Sequence, residues 1–424
     1  MNKKVKKLAL KLPFLKRIHG NVEQLRAHLK AYEEENEWLR LQADAREKEA
    51  EQLRSQVDVL RAQIDPAGRF EYRSCAIIED FYLYFNRGDG DGGIRMKYCC
   101  EVIENHPRIE VSDTAEESIR RLLEMRTEII SESIKFGLPG NYVTEEKRKF
   151  TSVCAECVHY RMDNWGMGGD GLIHIVNLAM YPAPCQSKCL YCEVHGTEMA
   201  VMSTQGHTLS YQRMFTIVEW AYNNGVIAKD ALWQIVCGEI TIHPFKDRFY
   251  KLVEGQATTF FTNCFEFDER IAANLASNPR SSVYLSIDSG TRETWRKVKG
   301  SDNFDKVLEN LKKYFNSSAQ PGQIGLKYLI LPGVNDNTSD YSELISIMDD
   351  LKVNQLTIAC DNRRKYYEDR DAEVMERLIA AGGYLTAALK RNGKTANISL
   401  NEYKPDQRDR ILAYADDLLM SGEV

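Results

Sequence analysis

The hydrophobic and polar positions of the chain form three stretches with different periods. From residue 18 to residue 64, apolar side chains recur at alternating intervals of four and three residues, which is the heptad pattern of a coiled coil. From about residue 170 to residue 404, short apolar runs of strand length alternate with amphipathic helical segments. The stretch between these two mixes strand-like and helix-like segments.

The heptad pattern predicts a parallel coiled-coil homodimer over residues 18–65. Asn36 takes a core position of the heptad, where a single buried Asn fixes the register of a two-stranded coil, and Pro66 ends the helix. The alternative is one long helix that packs on its own chain.

Residues 1–17 form a basic amphipathic segment, because they contain seven Lys and Arg residues, no acidic residue, and leucines at helical spacing. Such a segment can rest weakly on an anionic membrane surface. The alternative is a solvated start to the following helix. We therefore expect a cytoplasmic protein that is either free or peripheral at the inner face of the membrane.

The middle stretch, residues 67–165, predicts a small α+β domain that carries cysteines. Its strand-like segments and its one long helix-like segment lie, in chain order, at 69–78, 81–86, 94–100 and 114–137. The third strand ends in Cys99 and Cys100, and a CxxC pair, Cys154 and Cys157, follows the helix.

The alternating pattern of residues 170–404 predicts an α/β fold with a parallel sheet, because strands that alternate with helices form βαβ crossovers. The predicted strands are residues 172–179, 232–237, 258–264, 283–288, 324–331 and 356–360, with 397–403 as an extra strand. Active groups on such sheets lie beyond the carboxyl ends of the strands. Residues 405–424 predict a C-terminal surface helix.

Composition narrows the class of protein. The chain has 424 residues, of which 43% are hydrophobic and 28% are charged, so it is globular and long enough for two or three domains. Its net charge of −6 does not favour a general nucleic-acid binder, and no nucleic-acid partner is expected. No apolar run is long enough to span a bilayer. Eleven cysteines, grouped in clusters, indicate metal ligation in a reducing cytosol and not a disulfide framework.

One cysteine cluster directly follows the first strand of the predicted parallel sheet. Cys185, Cys189 and Cys192 are spaced so that each thiolate can bind a different iron of one iron–sulfur cluster, which leaves the fourth iron of a cubane without a protein ligand. The alternative is zinc with His195 as a fourth ligand, although zinc usually has four protein ligands in paired short spacings.

This CxxxCxxC motif, with an aromatic residue before its third cysteine, resembles the signature of the radical S-adenosylmethionine (SAM) superfamily. The resemblance covers residues 170–404 and implies a partial (β/α)6 barrel of the TIM type. It implies a 4Fe–4S cluster whose open iron binds SAM, and reductive cleavage of SAM to a 5′-deoxyadenosyl radical that abstracts a substrate hydrogen. It also implies an electron donor such as flavodoxin or ferredoxin.

The resemblance also implies which residues contact SAM near the cluster. The backbone of Tyr191 would approach the adenine. Gly238 and Glu239 match the Gly-Gly-Glu turn that binds the methionine amine, with Cys237 in place of the first glycine.

Two further strands contribute to the expected SAM pocket. Ser286 and Asp288 alternate with apolar neighbours, so both point to one face of their strand, and the resemblance places them at the ribose or the methionyl carboxylate. Lys327 on the next strand is expected to contact the SAM carboxylate or an anionic substrate.

The stretch before the barrel resembles the SPASM or twitch domains that hold auxiliary clusters in radical SAM maturases. This similarity implies a second iron–sulfur cluster on Cys99 or Cys100 with Cys154 and Cys157. The familiar domain follows the barrel, however, whereas this one precedes it. A small zinc site and buried free thiols are the alternatives.

The expected function is therefore that of a radical SAM enzyme. Its unidentified substrate is a peptide or protein, by analogy with enzymes that carry auxiliary domains, or a sugar or glycan precursor. The rival hypothesis is a coiled-coil scaffold or redox-sensing protein whose iron–sulfur cluster is structural. Matches at Glu239, Ser286 and Asp288 favour the enzyme, because a SAM pocket has no role in a scaffold.

Overall fold

The computed structural model describes Val22 and Lys30, and residues 73–87, 93–98, 109–136, 160–162, 171–179, 183–192, 205–236, 238–361, 372–399, 403 and 405–422. It separates into two compact units, Met1–Glu71 and Tyr72–Val424. Apart from the helical residues Val22 and Lys30, the predicted basic segment and coiled coil lie outside the described residues. Both stay predictions.

The second unit alternates strands and helices along most of its length. The strands are β1 Arg73–Cys75, β2 Tyr82–Arg87, β3 Ile94–Lys97, β4 Ile109–Glu110, β5 Tyr160–Met162, β6 Ile173–Leu178, β7 Ile227–Ile235, β8 Ala257–Phe261, β9 Ser282–Ser286, β10 Ile324–Ile330, β11 Gln355–Cys360 and β12 Thr395–Ile398. The helices are α1 Ala76–Glu79, α2 Ala115–Phe136, α3 Gln205–Asn223, α4 Lys246–Leu252, α5 Glu269–Ser277, α6 Arg292–Lys299, α7 Phe304–Ser317, α8 Thr338–Asp350, α9 Ala372–Arg391 and α10 Pro405–Ser421. A 3₁₀ turn, Ile240–Ile242, follows β7.

Strands β6 to β12 form a parallel sheet in which the spatial order follows the chain order. This is the topology expected of consecutive right-handed βαβ units. Every predicted strand of residues 170–404 overlaps a strand of the structure, although the ends are shifted and the predicted strand 397–403 extends into residues outside the described ranges. The mixed α/β class and the partial barrel are therefore confirmed.

The same sheet continues into the stretch that the sequence predicts as a separate domain. Strand β2 pairs with β6 in parallel. Strand β3 pairs with β2, and β4 pairs with β3, both in antiparallel orientation. Among the described strands, the short β1–β5 ribbon forms a separate sheet. Because β2 pairs with β6, β6 is not an edge strand, and β2, β3 and β4 extend the barrel sheet.

One segment of this stretch also differs in its secondary structure. The sequence predicts a strand over residues 69–78, whereas the described residues of this segment form the strand β1 and then the helix α1. The apolar residues Ile77 and Ile78 of this helix are buried. A short apolar run does not distinguish a strand from a helix by its period alone.

The two faces of the parallel sheet differ in polarity. In β9, Val283 and Leu285 are buried in the main hydrophobic core, whereas Ser282, Tyr284 and Ser286 on the other face are half-buried. Successive side chains in a strand point to opposite faces, so this alternation separates an apolar face, which packs into the core, from a partly open polar one. Across the described ranges, none of the helices combines the length and apolar character that crossing a membrane requires.

Candidate cluster and SAM site

The candidate site residues follow the carboxyl ends of neighbouring parallel strands. The cysteine loop, residues 183–192, comes after β6, the turn of Gly238 and Glu239 comes after β7, and Asp288 lies two residues beyond β9. Because β6, β7, β8 and β9 pair in that order, these segments meet at one edge of the sheet.

Cys185, Cys189 and Cys192 form no disulfide and are half-buried in the described loop. The hydroxyl of Ser187 lies 3.0 Å from Sγ of Cys189, and Nδ2 of Asn263 lies 3.6 Å from Sγ of Cys185. The pKa of Cys185 is raised to about 11, chiefly by burial. A hydrogen bond from the Ser187 backbone opposes this shift, and the charge of Glu239 contributes to it.

Helix α6 holds the backbone of this loop. The N–H of Lys188 donates to the carbonyl oxygen of Lys299 at 3.1 Å, and the N–H of Leu190 donates to that of Val298 at 2.9 Å. The last carbonyls of a helix have no partner within the helix, so the loop satisfies them. Gly300 ends the helix with a left-handed φ of 62°, and a Cβ there would lie 3.2 Å from the Lys188 carbonyl oxygen. Cys189 is therefore fixed between two anchored residues.

The turn after β7 is pressed against the start of the cysteine loop. Gly238 has a φ of +65°, and a Cβ at this position would lie 2.5 Å from the carbonyl oxygen of Pro184. The position therefore requires glycine both for its backbone conformation and for its space.

Glu239 is fully buried, and protein donors reach both of its carboxylate oxygens. Oε1 accepts from the N–H and the hydroxyl of Thr241 at 3.0 and 2.7 Å, and Oε2 accepts from the N–H of Asn263 at 2.7 Å. The hydroxyl of Thr262 lies 2.9 and 3.0 Å from the two oxygens. Burial raises the pKa of Glu239, and these hydrogen bonds oppose the shift. The structure thus gives this carboxylate partners other than the ligand ammonium that the resemblance implies.

Asp288 is likewise buried, and its backbone lies in the left-handed region with a φ of 50°. Its Oδ2 accepts from the hydroxyl of Tyr191 at 2.5 Å and pairs with the ammonium of Lys299, while Oδ1 accepts from the N–H of Leu329 at 2.7 Å. The amide of Asn335 donates to its carbonyl at 2.9 Å. These contacts hold a strained backbone in place. They also engage both oxygens that were expected to face SAM.

Ser286 and Lys327 stand side by side on the polar face. The two residues are register partners on β9 and β10, and both are half-buried. Lys327 lies within its strand and not at the edge of the sheet.

A row of polar residues crosses the same face of the sheet. Asn177, Gln234, Thr259 and Ser282 are register partners on four consecutive strands. Nδ2 of Asn177 donates to Gln234 at 2.8 Å, and the hydroxyls of Thr259 and Ser282 lie 3.1 Å apart. The Oδ1 atom of Asn177 is buried without a hydrogen-bond partner. We call these four residues the polar row.

Several predicted site residues lie outside the described part of the chain. They are Cys99, Cys100, Cys154 and Cys157 of the expected second cluster, His195 of the zinc alternative, and Cys237 beside Gly238.

Three residues of the site have no role predicted from the sequence. Asn263 contacts Cys185, Thr262 contacts Glu239, and Lys299 contacts Asp288. Thr262 and Asn263 directly follow the end of β8. Polar residues at that edge of a parallel sheet are candidates for function, so their position could have indicated a role from the sequence. Lys299 is the last residue of a helix, and nothing in the sequence distinguishes it from a solvated lysine.

The donor set of the cysteine loop fits an iron–sulfur cluster. Within the described ranges, no three His, Cys, Asp or Glu side chains are grouped around the position of a single ion. In a cubane each thiolate binds a separate iron, so its ligands are spread more widely than those of one ion. Hydrogen bonds to the sulfurs, such as those from Ser187 and Asn263, are among the features that tune such clusters.

Comparison with known proteins identifies this region. Residues 184–345 match the Radical SAM superfamily. Residues 184–345 therefore form a radical SAM domain, the domain of a superfamily of enzymes, as the cysteine motif predicted. A radical SAM domain implies a 4Fe–4S cluster and SAM as cofactors. No curated protein matches the chain.

Three solved structures show a partial likeness. Streptococcus suis SuiB bound to S-adenosylmethionine is 16% identical, with a TM-score of 0.40 over 76% of this chain and 72% of that chain. SuiB bound to precursor peptide SuiA is also 16% identical, with a TM-score of 0.40 over 77% and 72%. A radical SAM methyltransferase from Sphaerobacter thermophilus is 14% identical, with a TM-score of 0.33 over 51% and 63%. At these TM-scores the likeness carries no argument about substrate or reaction.

Proposed function

We propose that Cys185, Cys189 and Cys192 hold the 4Fe–4S cluster and that the enzyme abstracts a hydrogen atom from a polar organic substrate. The observation that carries this proposal is the cysteine loop, which is hydrogen-bonded to α6 and packed against the Gly238 turn, and whose three cysteines form no disulfide. When bound and reduced, the cluster and SAM supply the 5′-deoxyadenosyl radical of this superfamily. The chain's own residues bind and orient the two reactants and keep water away from them.

For SAM itself we propose two kinds of residue. Tyr191, Gly238, Ser286 and Lys327 would face the nucleotide, the first two through their backbones and the others from the polar face. The carboxylates of Glu239 and Asp288 would not face the nucleotide themselves but would support the residues that do. Since protein donors already engage both carboxylates, they support the pocket by holding the β7 turn and the cysteine loop in place.

The polar row supports a substrate that offers hydrogen-bonding groups. Asn177, Gln234, Thr259 and Ser282 present amides and hydroxyls on the face that carries Ser286 and Lys327, and Asn177 keeps a buried acceptor without a donor. A buried acceptor of this kind is costly unless a ligand or water satisfies it. A peptide or protein and a sugar or glycan precursor both supply such donors, and we propose one of these two classes.

The decisive experiment is product analysis after anaerobic reconstitution with iron and sulfide. SAM and dithionite are added to the wild type and to Cys189→Ala, and 5′-deoxyadenosine is measured. Release from the wild type alone supports the proposal. A wild type that holds iron and releases none favours the rival scaffold or redox-sensing function. Deuterium transfer into 5′-deoxyadenosine from labelled peptides or sugars then identifies the substrate class.

We further propose a second iron–sulfur cluster on Cys99 or Cys100 with Cys154 and Cys157. Iron analysis of the variant with Cys185, Cys189 and Cys192 all changed to Ala tests it. Iron that remains in this variant supports the second cluster, and zinc or no metal supports the alternatives.

For the N-terminal region we propose a coiled-coil homodimer through residues 18–65 and weak membrane-surface contact through residues 1–17. Light scattering of the full chain and of a chain lacking residues 1–65 distinguishes dimer from monomer. Binding to anionic vesicles with and without residues 1–17, at low and high salt, tests the second point. Flavodoxin or ferredoxin is the proposed electron donor in place of dithionite.

A further inference from the structure

A buried ion pair lies directly behind the cysteine loop. The side chains of Lys299 and Asp288 are 5% and 0% exposed, and they form a salt bridge. Removing two charges from water costs several kcal/mol per ion, about as much as their attraction returns, so a buried pair is weak grounds for stability alone. The pair therefore calls for a second explanation.

Both partners of the pair contact the same residue of the loop. Nζ of Lys299 lies 2.7 Å from Oη of Tyr191, and that hydroxyl donates to Oδ2 of Asp288 at 2.5 Å. Tyr191 stands between Cys189 and Cys192 in the chain.

The backbone of Lys299 holds the loop independently of its side chain. Its carbonyl oxygen accepts from the N–H of Lys188 at 3.1 Å and from the hydroxyl of Ser187 at 3.5 Å. One residue thus fixes the loop main chain on one side of Cys189 and places a positive charge at the tyrosine on the other side.

We propose that Lys299 and Asp288 are positioning residues that orient Tyr191 in the cysteine loop and set the reduction potential of the cluster held there. This inference rests on the proposed function. One-electron reduction of the cluster, by dithionite in the test below, adds one negative charge to it. The cation of Lys299 stabilises that added charge and the anion of Asp288 opposes it, and both act in a buried, weakly screened setting.

The sign of the effect separates this role from a purely structural one. Lys299→Gln and Asp288→Asn each remove one charge and keep a polar group of similar shape. We expect Lys299→Gln to lower the cluster's midpoint potential and Asp288→Asn to raise it. General loosening of the loop would instead move both variants in the same direction.

A control with a buried lysine and a more exposed carboxylate is available elsewhere in the fold. Lys394 is also buried, and its ammonium lies 2.6 Å from a carboxylate oxygen of Asp349. We expect Lys394→Gln to leave the midpoint potential at the wild-type value, because this pair makes no contact with the cysteine loop in the described part of the chain.

The test is a redox titration followed by electron paramagnetic resonance, with iron content and melting temperature measured on every reconstituted protein. Opposite shifts in the two variants, with no shift in Lys394→Gln, support the proposal. If only one variant folds, a shift of its midpoint potential in the expected direction supports the proposal, and a shift in the opposite direction overturns it. Both variants losing iron while keeping wild-type circular dichroism, with the control loaded, supports the positioning role. Loaded variants that shift in the same direction or not at all overturn it. A wild type without iron contradicts the proposed function instead.

Discussion

The backbone N–H of Glu239 donates a 2.8 Å hydrogen bond to the carbonyl oxygen of Pro184. This bond joins the turn after β7 to the residue immediately before Cys185. The first proposed cluster ligand, Cys185, therefore follows a residue that the turn after β7 holds, and the second, Cys189, lies between residues that α6 holds. The site depends on contacts between segments more than 50 residues apart in the chain.

Gly238→Ala is expected to damage the site more than a glycine substitution with the same backbone strain. A Cβ at Gly238 meets the Pro184 carbonyl oxygen at 2.5 Å, whereas Gly255, with a similar φ of +74°, has nothing within 4 Å of its added Cβ. Each change costs about 1–3 kcal/mol for the left-handed backbone. Gly238→Ala should also take up less iron than Gly255→Ala on reconstitution. Equal iron in the two variants would contradict the close approach.

Thr291→Val is expected to weaken the helix that holds the cysteine loop. The Thr291 hydroxyl caps α6 by accepting from the N–H of Thr294 at 3.2 Å, and it also contacts Asp340 at 3.1 Å. Loss of such a cap costs about 0.5–2 kcal/mol, measured by urea unfolding of the protein without its cofactors.

The control for this change is Thr216→Val, at an exposed position within α3. A surface substitution of this kind usually stays within about 0.5 kcal/mol of the wild type. If Thr216→Val lowered the free energy of unfolding as much as Thr291→Val does, the result would contradict a specific capping role for Thr291.

The pKa shift of Glu239 predicts a pH dependence of stability. Burial raises its pKa in the folded chain above the value of about 4.3 expected when unfolded. Between these two values the folded state binds more protons than the unfolded state, so the free energy of unfolding falls as the pH rises. In Glu239→Gln this titration is absent.

The comparison of these two proteins isolates the Glu239 contribution. Urea unfolding without cofactors, across mildly acid to neutral pH, should show the wild type losing stability relative to Glu239→Gln as the pH rises. A difference between the two that stays constant with pH would show that the buried carboxylate does not titrate in this range.

Much of the fold follows from the sequence for a physical reason. The apolar runs that became β6 to β12 have strand length and turn residues at their ends, and the helices between them carry one apolar face, so local pattern and tertiary structure agree. The placement of β2 beside β6 was not predictable in the same way. The alternation of apolar and polar residues in a strand indicates which face is buried, but it does not indicate which neighbouring strand it pairs with.

The site shows the same division between local and long-range information. The sequence predicts that three cysteines, Cys185, Cys189 and Cys192, are cluster ligands, because ligand spacing is a local property of the chain. The pairing of Asp288 with Lys299 and the enclosure of Glu239 by Thr262 depend on contacts across the sheet, which a single sequence does not contain.

Removal of the cluster is expected to destabilise the wild type. A ligand that binds only the folded state, at a thousand times its dissociation constant, adds about 4 kcal/mol of stability. Chelation of iron should therefore lower the melting temperature of the reconstituted wild type by more than it lowers that of reconstituted Cys189→Ala. Unaltered melting of both proteins would indicate that iron does not bind at this loop.

The central claim is that the three cysteines hold a cluster with one iron open to SAM. Electron paramagnetic resonance of the anaerobically reconstituted, dithionite-reduced wild type, recorded with and without SAM, tests it most directly. The account predicts a reduced-cluster signal that changes when SAM is added, and this SAM-sensitive signal is lost in Cys189→Ala. The absence of any SAM-sensitive signal from the wild type, or a SAM-sensitive signal that survives in Cys189→Ala, would contradict it.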